Sequence, residues 1–163
     1  MYLLDTNVFI SAKNDHYGFD FCPAFWDWLL LANKRGIVFS IQHVRAELLV
    51  GENPLVDWVH RLDDGFFLDI MPEHHATLGK VGDWAHERHY SDVAVQAFAE
   101  AADSVLIALA LELGYAIVTH ETSLTSIQRV KIPDAYKGLG VKCLAPFQML
   151  CQAGVRFVLG ESP

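Results

Sequence analysis

Cysteine is scarce in this chain: Cys22, Cys143 and Cys151 are the three in 163 residues, an odd number with no C-x-x-C spacing. That argues against a disulfide framework or a cysteine zinc site, and a reducing cytoplasm is the expected compartment. Long apolar runs are lacking too. The longest, Val105 to Leu111, has seven residues, far below the ~18 that a bilayer-spanning helix needs, so no membrane association is expected. The opening Met-Tyr-Leu-Leu-Asp has no cationic stretch, which predicts no signal peptide. Basic residues are outnumbered, 12 Lys and Arg against 20 Asp and Glu, for a net charge of −8. Taken alone, this argues against a broad basic face for nucleic acid. A few acids gathered where cations neutralise them would escape that argument. No repeat, low-complexity stretch or Pro/Gly/Ser-rich linker divides the chain.

What is present is ample apolar mass. Hydrophobic residues make up 52% and charged residues 20%, which excludes a disordered chain and suits one folded domain over residues 1–163. Short apolar runs predict strands at Tyr2–Leu4, Ile37–Phe39, Phe66–Ile70, Tyr115–Thr119 and Val141–Leu144, with a last edge strand at Val155–Leu159. Residues 13–22 read as a polar and aromatic loop. Pro23 opens a helix to about Lys34, Ser40 caps one over 41–50, and Asn53-Pro54 starts another through Leu62. Residues 73–100 read as one or two helices with a fresh cap near Tyr90-Ser91. Helices follow at 101–113, closed by Gly114, at Pro133–Leu139 and at Pro146–Ala153. Strands alternating with helices predict a single-domain, three-layer α/β/α fold around a mostly parallel sheet.

In such a sheet functional groups collect at the carboxyl ends of the strands. Asp5 directly follows the first strand, and Glu121 lies two residues past Thr119. Acids also end strands and cap helices for purely structural reasons, so neither position decides alone. Asp103 says more. Its neighbours at i+3, i+4, i+7 and i+8 are Leu106, Ile107, Ala110 and Leu111, so it heads the face that must bury. A solvated first-turn acid complementing the helix dipole would lie on a polar stripe instead. Glu47 borders an apolar face near Val44 and Leu48, and an exposed glutamate paired with Arg45 is an equal reading of it. Glu112, at the far end of the Asp103 helix, reads as a surface acid. Inward-leaning carboxylates raise one another's pKa. Hard divalent cations, Mg2+ or Mn2+, remove that penalty and serve phosphodiester hydrolysis.

Four segments then carry a resemblance. Leu3-Leu4-Asp5-Thr6-Asn7-Val8-Phe9 resembles the first motif of the PIN-domain nuclease superfamily, a strand ending in Asp-Thr-Asn/Ser. Ser40 through Glu47-Leu48 resembles the second, Ala102-Asp103-Ser104-x-x-Ile107-Ala108 the third, and Ile117-Val118-Thr119-His120-Glu121 the fourth. Order and spacing match across roughly residues 1–148. The segment from Lys131-Ile132-Pro133-Asp134 to Cys143 looks like a bacterial branch with longer insertions. The resemblance implies a Mg2+- or Mn2+-dependent endoribonuclease of the VapC-like type, the toxin of a toxin–antitoxin pair. Its partners would be RNA, a cognate antitoxin and a second copy of the chain. It makes Asp5, Glu47, Asp103 and Glu121 the metal-binding, catalytic set, with Asn7 and Thr119 orienting Asp5 from behind. Glu121 stands where the family has aspartate and is one methylene longer, which predicts contact with the ion through a water. Asp134 is a possible substitute.

Three other readings compete. His86-Glu87-Arg88-His89 is one residue short of the zincin motif, so its rings fall at i, i+3 and zinc is not expected. A haloacid-dehalogenase-like phosphatase also begins with a strand ending in Asp, but needs D-x-D, and position 7 is Asn. A non-catalytic PIN-like binding module would show loss of the acids, and they are present. Phe25, Trp26, Trp28, Trp58 and Trp84 fall at helical spacing among leucines, as core residues do. His120 reads as a solvated loop residue. Lys13, Arg45, Arg129, Lys131 and Lys137 are the cations available to touch phosphate.

Overall fold

Tyr2–Leu4 forms a three-residue strand, β1, and everything else is arranged around it. In this computed structural model, which describes residues 1–88, 90–121 and 132–158, β1 pairs in parallel on both sides. Val38–Ile41 (β2) lies on one side of it and Ala116–Val118 (β4) on the other. Phe67–Leu68 (β3) extends the sheet beyond β2, and Cys143–Leu144 (β5) extends it beyond β4. The order is β3-β2-β1-β4-β5, all parallel. Leu3, Leu4, Val38, Ile117 and Val118 have no exposed surface at all, as strands covered on both faces should.

The connections supply that cover. Between β1 and β2 run α1 (Thr6–Ser11) and α2 (Pro23–Lys34); between β2 and β3 run α3 (Gln42–Leu48) and α4 (Pro54–Val59). Between β3 and β4 come α5 (His75–Glu87), α6 (Asp92–Glu100) and α7 (Ala102–Leu113). Last are α8 (Ile132–Leu139), before β5, and α9 (Pro146–Gln152), after it. Right-handed crossovers put α1–α4 on one face and α5–α8 on the other, because the chain moves outward from β1 to β3 and then returns to β4 on the opposite side. Contacts agree: α2 and α3 pack on β2, while α7 packs on β4 and is itself covered by α5, α6 and α8. The fold is thus a single α/β domain around a five-stranded parallel sheet. No single helix among the described residues is long and apolar enough to cross a membrane.

Several boundaries differ from the sequence reading. Ser40 is a strand residue and not a cap; its buried hydroxyl donates to the Leu4 carbonyl at 2.7 Å, joining β2 to β1. Ile41, with no capping side chain, precedes α3 instead. Phe66 turns in a short 3-10 segment, leaving β3 only two residues. Thr6–Ser11, unassigned in sequence, is helical, and the first part of the expected 13–22 loop is a π-helical turn, Ala12–His16. Residues 155–158 form no strand, and Leu159 lies outside the described residues. By contrast, Pro23 opens α2, Asn53 Oδ1 accepts from Leu55 N at 3.0 Å, Ser91 accepts from Ala94 N, and Gly114 closes α7 at φ 68.

Candidate metal centre

The strand order reverses at β1 and β4, and in open parallel sheets that crevice at the carboxyl ends is where ligands bind. Asp5 stands there. Its N–H donates to the Val118 carbonyl at 3.0 Å, which pins it between the two strands. Its side chain is 6% exposed, and each carboxylate oxygen is held. Oδ1 accepts from Thr6 N at 2.7 Å, at the start of α1. Oδ2 accepts from Asn7 Nδ2 at 2.5 Å and from Thr119 Oγ1 at 2.7 Å.

The direction of the Thr119 bond follows from counting. That hydroxyl has one proton and two lone pairs. Asn7 Nδ2 donates to it at 2.9 Å and Glu121 N at 3.0 Å, so both lone pairs are used. The proton goes to Asp5. Asn7 is equally fixed: Nδ2 serves Asp5 and Thr119, while Oδ1 accepts from His120 N at 2.9 Å. Asn7 and Thr119 therefore orient the Asp5 carboxylate from behind.

Two other acids act on it. The Asp5 carboxyl is pushed up to about 6, mainly by burial, with Glu121 and Glu47 adding repulsion; the Thr119 hydroxyl and Thr6 N–H pull the other way. Glu47, exposed on α3, accepts from the Thr6 hydroxyl, so Thr6 ties the two carboxylates together through its N–H and its O–H. Glu121 is half-buried, and its Oε2 is enclosed with no hydrogen-bond partner. An enclosed carboxylate oxygen without a donor is costly, and a bound water or ion is its usual explanation. Below the site, burial, with smaller contributions from Asp5 and Glu121, pushes the Cys143 thiol up to about 11. It stays protonated at neutral pH, a poor nucleophile and ligand.

Asp103 lies half-buried in the first turn of α7. That helix runs back along β4 and packs on β2, β4 and α3, which places its N-terminus at the same carboxyl edge. It is not among the groups that shift Asp5. Among the described residues no three His, Cys, Asp or Glu side chains are grouped closely enough to hold one ion. Among the described residues Asp5, Glu47 and Asp103 form no such three-acid group; Glu47 and Glu121 are the acids that act on Asp5. Asp134 acts on Tyr90 and Tyr136, not on Asp5.

The remaining sequence candidates fall elsewhere. His86 and Glu87 are exposed in the last turn of α5, and His89, Arg129 and Lys131 lie outside the described residues. Phe25, Trp26, Trp58 and Trp84 are core residues. Glu112 is exposed and accepts from the Thr77 hydroxyl. Two features had no assigned role in sequence: Thr6, visible only as part of a motif, and His16. His16 ends a π-helical turn and stacks on His120, ring centroids 5.5 Å apart at 29°. Burial and that neighbour hold the His120 imidazole below its usual range.

A protein-family model described as a domain of unknown function (DUF4411) matches residues 2–157. No curated protein matches the chain. Among solved structures, a chain of FitAB bound to the IR36 DNA fragment is similar, with 19% identity over 90% of this chain and 96% of that one, at a TM-score of 0.54. At that identity the likeness is one of fold.

Proposed function

This chain belongs to the DUF4411 family, and we propose that it is a metal-dependent endoribonuclease, the nuclease half of a toxin–antitoxin pair. The observation that carries the reading is the pairing at the β1/β4 crevice of a buried, fully oriented Asp5 with the partnerless enclosed oxygen of Glu121. This donor set is oxygen only, which suits a hard cation, and Mg2+ is commonly held by one or two carboxylates with several waters. Asp5 and Glu121 would hold it, with Glu47 and Asp103 as outer acids. Bound there, the ion supplies Lewis acidity and the positive charge that a phosphodiester needs beside a chain of net charge −8.

The chain's own residues do the rest. Thr119 and Asn7 hold Asp5 Oδ2, leaving Oδ1 with one unused lone pair toward the site. Thr6 keeps Glu47 beside it. Asn7 is committed to Asp5, Thr119 and His120, and an amide has no acidic proton to give, so phosphatase chemistry of the D-x-D kind has no second acid here. The partner reading rests on charge. FitAB is described as bound to DNA. In a like assembly, an acidic chain leaves DNA contact to another protein, an antitoxin. Cys22, Cys143 and Cys151 are all thiols, which suits the cytoplasm.

A non-catalytic binding module is the rival reading, because among the described residues no three acids are grouped closely enough to hold one ion. Cleavage of a fluorescent single-stranded RNA separates the two. Mn2+ should support cleavage and EDTA abolish it. Asp5→Asn should lower the rate by more than about a hundredfold, beyond the cost of losing a supporting partner. RNA left whole in Mn2+ contradicts the enzyme reading, and equal cutting in EDTA contradicts the metal.

A further inference from the structure

Beside the carboxylates lies a second cavity of about 440 Å3 that the nuclease chemistry does not use. Val8, Tyr17, Pro146 and Phe147 are among its walls, and His16 and His120 supply its polar edge. His120 belongs to both places. Its N–H is held by Asn7 within the Asp5 network, while its imidazole lines the cavity and stacks on His16.

His16 reaches that position because of a local irregularity. The π-helical turn Ala12–His16 is closed by Tyr17 N donating to the Ala12 carbonyl at 2.6 Å, five residues back. Such turns insert a residue into a helix and concentrate at functional sites. One residue fewer would rotate the following side chain by about 100° around the axis, away from His120. Phe147, also in the lining, is 71% exposed, although its neighbour Pro146 is buried. A phenyl ring left in water at the mouth of an apolar cavity offers a stacking face.

We propose that this cavity binds one unpaired nucleobase of the RNA, flanking the phosphodiester at Asp5 and Glu121, and so selects the sequence that is cut. The inference rests on the nuclease reading. The ligand it asks for is flat, apolar on its faces and hydrogen-bonding at its edge. A base stacks on Phe147 as bases stack on aromatic side chains in single-strand grooves, and the ring nitrogens of His16 and His120 can hydrogen-bond to its edge. About 440 Å3 has room for a base with its sugar, and a base edge read by His16 and His120 is not also paired to another base, so the substrate is single-stranded at this point. Adjacency favours a base over other flat ligands, because His120 is chain-bonded to Glu121 and its N–H is held in the Asp5 network, and a phosphate held at Asp5 and Glu121 brings its own base to this wall.

The test uses four-nucleotide RNAs carrying 2-aminopurine at each position in turn, titrated onto the whole chain in Ca2+, which supplies the ion's charge at the acids without the octahedral geometry of Mg2+, so that cleavage is slowed while the phosphate is still held. Quenching should be strong at one position and weak at the others. Phe147→Ala should weaken binding of that RNA about tenfold, the value of one lost stack, and an abasic site there should cost a similar factor. His16→Ala should change the ranking of the four bases at that position. Equal quenching at every position, or Phe147→Ala binding as tightly as wild type with an unchanged melting curve, overturns the proposal. Failure of the nuclease reading looks different: position-specific quenching would persist while Mn2+ produced no cleavage, and that result supports the cavity as a base site.

Discussion

A carboxyl group 6% exposed and titrating near 6 is more easily protonated in the folded chain than in the unfolded one, where it titrates near 3.8. Between those values the folded chain holds a proton that the unfolded chain has released, so Asp5 lowers stability as pH rises through that window, and the loss persists above it. The penalty is about 3 kcal/mol at most. Asp5→Asn removes it but turns an amide toward Thr6 N–H, losing one hydrogen bond worth about 1 kcal/mol. In EDTA, urea unfolding should therefore find the variant about 1–2 kcal/mol more stable than wild type at pH 7.5 and slightly less stable at pH 4. An equal difference at both pH values would mean that Asp5 is not charged and buried as described. The placement of Asp5 at a strand end and of Asp103 on an apolar face could be read from spacing. The enclosed oxygen of Glu121 could not, because it depends on what surrounds a side chain, and an inserted π-helical residue before His16 leaves no periodicity to detect.

At the scale of elements, helices were legible where chemistry marks their ends, as at Pro23, Asn53, Ser91 and Gly114. Ser40 misleads for a physical reason: the same hydroxyl that caps a helix can satisfy a neighbouring strand, and here it donates to Leu4 O. The helix α1 is too short, at six residues, to display an amphipathic period. Packing between helices is similarly invisible. Gly138 in α8 meets the Trp84 ring of α5, where an added Cβ would stand 2.3 Å from Nε1. The Trp84 ring is 9% exposed and lacks room to retreat. Helix propensity alone favours alanine over glycine by about 1 kcal/mol, whereas overpacking costs about 1–3 kcal/mol. Gly138→Ala should therefore lower the melting temperature, and a raised one would show that α8 does not lie against α5 in this way.

For the molecule as a whole, the alternation of short strands and helices was enough to specify a parallel α/β sheet, and the reversal of strand order at β1 and β4 opens the crevice where ligands bind in sheets of this kind. Net charge was the ambiguous quantity. A value of −8 argues against a broad basic face and says nothing about a few acids gathered at one edge. The proposed nuclease chemistry requires that Asp5 and Glu121 hold a divalent cation. The most direct measurement is Mn2+ binding to the apo chain, read from the paramagnetic resonance signal of the unbound ion. Wild type should bind Mn2+, and Asp5→Asn and Glu121→Gln should each weaken it by about tenfold or more, while Glu87→Gln, on the exposed end of α5, should not. Wild-type affinity retained in both Asp5→Asn and Glu121→Gln would contradict it.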